Sequence, residues 1–344
     1  MKKNTIIIRE NRIDEASRAL REGKLVVFPT ETVYGLGANV YDEEAVKNIF
    51  VAKGRPSDNP LIVHISDIDQ LRDLVREIPE YAQSLIDAFW PGPLTLVMKK
   101  SDLIPEIITG GLDTVAIRMP NNPVALKLIN LSGVPIAAPS ANISGRPSPT
   151  SEIHVIEDLG GRVDYIILGG DTSVGLESTV LDISGKTPRI LRPGHITYED
   201  IREIIGRLKY DSHLTDENIT PKSPGMKYRH YSPEAKVIIV EGRYIRRKML
   251  SMIDDYADQG IKVGVMGTDE LLKDFKDVVC CSLGDTKKIS VVGNRLFRCL
   301  RDLDRQKVDV ILAESFDREG LGVAIMNRLE KAAGYHIINS EEDI

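Results

Sequence analysis

The sequence predicts a mixed α/β (α+β) protein, with a twisted mixed sheet in its first part and a smaller parallel α/β domain at its end. Three observations carry this. Leu25–Phe28 and Leu61–Ile65 are short, almost continuously apolar runs set between helical patterns, as in strands covered on both faces. From Pro135 onward, strand-like runs follow one another without helical crossovers, which favours a mixed sheet over a doubly wound one. Beyond Tyr231, apolar strands alternate with helical patterns, the mark of a parallel sheet.

In chain order, 11–22 is a short helix with Ile13, Ala16 and Leu20 on one side and Gly23 as its stop. The strand 25–28 follows and breaks at Pro29 into the hydroxyl- and glycine-rich Thr30-Glu31-Thr32-Val33-Tyr34-Gly35-Leu36-Gly37. Asp42 caps a helix carrying Ala45, Val46, Ile49 and Phe50. That helix delivers Lys53-Gly54-Arg55 just past its end, where a cation also gains from the helix dipole. The strand 61–65 is followed by helices over 68–76 and 80–89, the hard turn Trp90-Pro91-Gly92-Pro93, and strands over 94–98 and 115–119. Asn122-Pro123 opens a helix that stops near Gly133. Strands over 135–138, 165–168, 178–183 and 189–191 complete the first part.

Domain boundaries are expected at 1–208, 209–232 and 233–344. The middle stretch is polar, proline-bearing and without apolar periodicity, as a linker is. In the last stretch, strands are expected over 236–240, 261–266, 277–283 and 308–313. Its Gly264-Val265-Met266-Gly267 only weakly echoes a nucleotide loop.

Composition narrows function. The 344 residues suit two domains. The net charge of −6 argues against broad phosphate-backbone affinity. No apolar run approaches the ~20 residues of a membrane span. Met1-Lys2-Lys3-Asn4 leads into Ile6-Ile7-Ile8 and then charge, unlike a signal peptide, so a cytoplasmic protein is expected. Cys280, Cys281 and Cys299 form no CxxC, and reduced, buried or half-buried thiols are expected. The six histidines show no HExxH spacing.

Chemistry gathers in the first part. Lys53, Arg55, Arg118, Arg146 and Arg192 lie near turns or strand ends, and Pro139-Ser140-Ala141-Asn142 offers a polar turn. Converging Lys and Arg with turn N–H groups can hold a polyphosphate without a P-loop, and no GxxxxGK[ST] occurs. Taken singly, these residues read equally well as solvated cations, a helix stop and an ordinary turn. Spacing alone thus reaches an anion-binding α/β protein, with a nucleotide among the candidate ligands.

The ordered combination is more specific. Pro29-Thr30-Glu31-Thr32-Val33-Tyr34-Gly35-Leu36, Lys53-Gly54-Arg55-Pro56, Arg118-Met119-Pro120 and Pro139-Ser140-Ala141-Asn142-Ile143-Ser144-Gly145 together resemble the YrdC family of L-threonylcarbamoyladenylate synthases. The family's Lys-x-Arg and Ser-x-Asn signatures fall on Lys53/Arg55 and Ser140/Asn142. Ser223-Pro224-Gly225-Met226-Lys227-Tyr228-Arg229-His230-Tyr231 resembles the linker of its longer, two-domain members. The resemblance implies a twisted open sheet with a concave basic face, then a Rossmann-like domain. It implies a nucleotidyltransferase that makes threonylcarbamoyl-AMP and pyrophosphate from L-threonine, bicarbonate or CO2, and ATP. The product would pass to a threonylcarbamoyl transferase complex acting on tRNA.

Carried over by motif, Lys53 and Arg55 are the expected catalytic cations on the triphosphate, with Arg192 beside them. Thr32, His64, Arg118, Ala138 and Ser178 would hold L-threonine. Arg55, Asn59, Thr114, Ser140, Asn142, Ser148, Arg192, Arg229, His230 and Tyr231 would contact ATP. Mg²⁺ would arrive on ATP, with no metal site on the protein itself. The linker is expected to act as a lid that keeps water from the adenylate. Two other readings stand beside this one: a double-stranded RNA or tRNA binder, for which a local patch would give weak RNA binding, and a carbamoyl-transfer module without adenylate synthesis.

Overall fold

The computed structural model describes residues 3–212 and 231–341. Contacts divide the chain into two units. One comprises Met1–Ser144, Ser148–Ser173 and Glu177–Tyr228, and the other Gly145–Pro147, Val174–Leu176 and Arg229–Ile344.

The first unit is built on strands β1 (Ile6–Ile8), β2 (Val26–Phe28), β3 (Gly35–Asn39), β4 (Ile62–His64), β5 (Leu94–Lys99) and β6 (Thr114–Arg118). β7 (Ile136–Ala137), β8 (Tyr165–Ile167), β9 (Thr179–Asp182), β10 (Arg189–Arg192) and β11 (Lys209–Tyr210) complete it. They form one mixed sheet in the order β1-β8-β2-β3-β7-β4-β6-β5-β9-β10-β11. The expected mixed sheet is borne out.

The apolar run at β2 has a plain cause. Val26 and Phe28 face a core with Ile13, Leu20 and Leu128, while Leu25 and Val27 face the other side with Ile49 and Phe50. Successive strand residues point to opposite faces, so a strand covered twice must be apolar throughout. The helix Glu43–Lys53 starts where Asp42 accepts a hydrogen bond from the Ala45 N–H, and ends at Gly54 in the left-handed region. The helix Pro123–Ser132 has Asn122 as its cap and Gly133 as its stop. The structure shortens the helix expected over 68–76 to a 3-10 turn, Ile68–Gln70, and one helical turn, Leu71–Leu74. It adds β3, where Gly35 and Gly37 disguise a buried strand; a side chain at Gly37 would run into Ile136 and Phe28.

The second unit holds β12 (Lys236–Glu241), β13 (Val263–Gly267), β14 (Val279–Ser282), β15 (Val310–Glu314) and β16 (Ile337–Asn339). Their order is β14-β13-β15-β12-β16, and every pair is parallel. Ile238, Val240, Val265 and Leu312 fill one side. Tyr231, at φ 63°, packs its ring at a tilt against Phe297, centroids 5.1 Å apart, and lies under the Arg328 guanidinium at 5.7 Å.

One expectation is corrected here. Cys281 and Cys299 are joined as a disulfide, with Cα atoms 5.5 Å apart, linking β14 to the helix Ile289–Arg305. The fold, not the sequence spacing, brings these two positions together. Cys280, one residue along the strand and pointing the other way, stays free.

Candidate active site

Between β2 and β3 the chain makes a tight bend around Thr30. The Thr30 hydroxyl donates to the Val33 carbonyl at 2.6 Å and accepts from the N–H groups of Thr32 and Val33. Thr30 has spent its hydrogen, so the Thr32 hydroxyl, 2.9 Å away, donates to it. That leaves the Thr32 oxygen to accept from Arg118 Nη1 at 2.9 Å. Arg118 Nε donates to the Gly92 carbonyl at 3.1 Å, in the proline-bound turn after the helix Glu80–Phe89. Its Nη2 lies 2.7 Å from Glu31 Oε1, and both side chains are buried. Arg118 therefore points into a buried charged cluster.

Strand register brings the next residues to the same place. His64 is the parallel partner of Arg118 across β4 and β6, and Leu96 of β5 lies opposite Ile117. β9 runs parallel to β5, with Thr95 opposite Val180. Ile62, Val97, Ala116, Val180 and Leu191 form a small apolar cluster. By the two-residue period, His64, Thr95, Arg118 and Ser178 share the face of that cluster. Ser178 and Thr95 hydroxyls meet at 2.7 Å. Arg192 donates to the Ser178 carbonyl through Nε at 3.1 Å and Nη2 at 2.9 Å, and to the Ser178 hydroxyl at 3.1 Å. Just past β10, Gly194 leaves no space for a β-carbon, which would collide with the backbone of Glu177, Ser178 and Thr179. Burial, and then the nearby charge of Arg118, push the His64 imidazole down to about 3. It is neutral at physiological pH, its Nδ1 3.2 Å from the Ile62 carbonyl.

The Lys-x-Arg and Ser-x-Asn signatures meet each other. Lys53, 2% exposed, donates to the carbonyls of Ser140 and Asn142, the latter at 2.6 Å, and reaches Asn142 Oδ1 at 3.3 Å. The Ser140 hydroxyl donates to Asn142 Oδ1 at 2.6 Å. Ser140 also bridges to Gly35, next to the Thr30 bend, while the Ala138 N–H donates to the Ile62 carbonyl. Arg55 reaches back to the carbonyls of Asn59 and Pro60. Asn59 is fully buried, and among the described residues neither polar atom of its carboxamide has a hydrogen-bond partner. Ser148 donates to Glu177.

Other expected residues lie away from Arg118. Thr114 begins β6 and Arg118 ends it, so the two stand roughly 13 Å apart along the strand. Arg146 pairs with Glu234 at 2.6 Å in the second unit, which also contains Tyr231. Arg229 and His230, with the rest of 213–230 in the 209–232 linker expected to act as a lid, fall outside the described residues. Sequence reasoning assigned no role to Glu31, Thr95 or Glu177. Glu31 stood in the quoted Pro29–Leu36 run, and only its encounter with Arg118 marks it. Among the described residues, no group of three His, Cys, Asp or Glu side chains could hold a metal ion. No described helix is long and apolar enough to cross a membrane.

Comparisons with known proteins match two successive stretches of the chain. The Sua5/YciO/YrdC profile, described as telomere recombination, matches residues 18–194. A second profile, described as the C-terminal domain of threonylcarbamoyl-AMP synthase, matches residues 196–334. The chain is 54% identical over 334 residues to a threonylcarbamoyl-AMP synthase of Pyrococcus abyssi, covering 96% of each. It is 51% identical over 327 residues to one of Bacillus subtilis, covering 95% of this chain and 94% of that one. Its fold matches a crystal structure of P. abyssi Sua5 complexed with L-threonine, at TM-score 0.92 and 53% identity, over 97% of this chain and 99% of that one.

Proposed function

The chain belongs to the Sua5/YciO/YrdC family, in its two-domain form, and from that premise we infer that it is a threonylcarbamoyl-AMP synthase. It joins L-threonine, bicarbonate or CO2, and ATP, releasing pyrophosphate. One observation carries the reading at the level of chemistry. Buried Arg118, Thr32, His64, Ser178 and Arg192 converge at one end of the central strands.

The reaction dictates what such a site must do. Threonine's free amine condenses with bicarbonate to a carbamate and water. A carbamate oxygen then attacks the α-phosphorus of ATP, and pyrophosphate leaves. An anion meets an anion, so positioning and charge neutralisation are the work to be done. Arg118 takes the threonine carboxylate, for which a guanidinium fork is suited. Neutral His64, Thr32, Ser178 and the Ala138 backbone surround the rest of the amino acid. Arg55 and Arg192 face the phosphates, and Asn59 offers its unspent carboxamide to the nucleotide, alongside Ser148. Lys53 acts by holding the Ser140–Asn142 turn against ATP. Thr114 joins the nucleotide contacts through the far end of β6.

ATP enters as its Mg²⁺ complex, so the metal is part of the substrate and needs few protein ligands. The enzyme works in the cytoplasm and hands its labile adenylate to a transferase complex acting on tRNA, which it would itself touch only weakly. Pyrophosphate release tests the reading. It should require ATP, threonine and bicarbonate together; release that ignores threonine and bicarbonate would mark a simple nucleotidase instead.

A further inference from the structure

Glu31 is a buried carboxylate whose charge is matched but whose hydrogen bonds are not. The residue is 6% exposed, and among the described residues neither Oε1 nor Oε2 has a hydrogen-bond partner. Arg118 Nη2 stands 2.7 Å from Oε1, yet among the described residues it too has no aligned partner. The distance shows an ion pair; the missing alignment shows that its N–H groups and the carboxylate lone pairs are not spent on each other. A buried carboxylate without hydrogen bonds is costly, and native proteins seldom leave such groups unsatisfied without a reason. The bend around Thr30 fixes the backbone on both sides of Glu31, so the side chain is held in this place.

A guanidinium with a free N–H edge beside a carboxylate with free oxygens is complementary to a zwitterion. The ligand's carboxylate would take the Arg118 edge, and its ammonium, with three N–H donors, would take Glu31. We propose that Glu31 is the acceptor for the α-amino group of the amino-acid substrate, and so selects α-amino acids over otherwise identical hydroxy acids. This rests on the reading of the site as a threonine site. Once the ammonium has given up a proton to solvent and the resulting free amine is carboxylated, the N–H that remains on the carbamate nitrogen still points at Glu31, which keeps the nucleophile oriented.

The test compares L-threonine with 3-hydroxybutyrate, which has the same carboxylate, hydroxyl and methyl groups but no amine. Affinities are measured by calorimetry on the full chain, for the wild type and Glu31→Gln, with a non-hydrolysable ATP analogue as a control ligand. A hydrogen bond to a charged group corresponds to roughly 10- to 150-fold in affinity. The wild type should prefer threonine by at least about tenfold on that scale, and Glu31→Gln should lose most of the preference while binding the ATP analogue normally. An unchanged preference in Glu31→Gln, or equal losses for both ligands, would overturn the proposal and leave Glu31 as a counter-ion of Arg118. If Glu31→Gln does not fold, the wild type alone decides, since equal affinity for the two ligands overturns the proposal. A wild type that binds no threonine at all would instead refute the proposed function.

Discussion

Lys53→Met is the most informative single substitution, because it separates holding a turn from touching a phosphate. Methionine keeps the aliphatic stem and removes the ammonium. The carbonyls of Ser140 and Asn142 then lose this donor at a position where Lys53 was only 2% exposed. Hydrogen bonds to a charged group contribute about 1.5–3 kcal/mol each, and two that share one ammonium are not additive, so a loss of about 3 kcal/mol is expected. The chain has one tryptophan, Trp90, which lies in the first unit and donates to the Leu94 carbonyl at 2.7 Å. Its fluorescence reports urea unfolding of that unit. With a slope of about 2 kcal/mol/M, the midpoint should fall by about 1.5 M. Affinity for an ATP analogue should fall at least tenfold as the turn loosens. A midpoint unchanged within about 0.3 M, by the same slope, would show that the ammonium does not hold the turn.

The remaining predictions concern His64 and Gly194. Because the folded state pushes His64 down to about 3, the unfolded chain takes a proton between that value and 6.5 which the folded chain refuses. His64 thus costs stability as pH falls through that window and costs none above it. Relative to a His64→Asn variant, the wild type should lose about 1.4 kcal/mol per pH unit between roughly pH 6 and 4 in urea titrations; parallel curves would contradict a buried neutral imidazole. Gly194→Ala forces the chain after β10 off the backbone of Glu177–Thr179, and with it the Arg192 fork on Ser178. Overpacking of this kind costs about 1–3 kcal/mol, and adenylate yield should drop at least tenfold; an unimpaired yield would show that this contact does not set the site.

Much of the fold was legible where burial is symmetrical. β2 and β4 are apolar at nearly every position because both faces are covered, and helix ends at Asp42, Gly54, Asn122 and Gly133 follow local capping chemistry. β3 was not legible, because Gly35 and Gly37 are dictated by the close approach of Phe28 and Ile136, which only the folded sheet supplies. The site divides the same way. Cations and hydroxyls at turns were visible, but which of them face each other was not. Lys53 looked like a phosphate ligand, yet its ammonium meets backbone carbonyls far along the chain. Glu31 was one polar residue among several until Arg118 came to lie beside it. The same holds for Cys281 and Cys299, whose pairing depends on a helix packing back on a strand.

A synthase of this family builds a carbamoyl adenylate on threonine. The direct measurement supplies carbon-13 bicarbonate with ATP and L-threonine and follows the products by mass spectrometry. Threonylcarbamoyl-AMP should carry the label, form in step with pyrophosphate and be absent when threonine is omitted. AMP and pyrophosphate appearing without any labelled adenylate would contradict the proposed function.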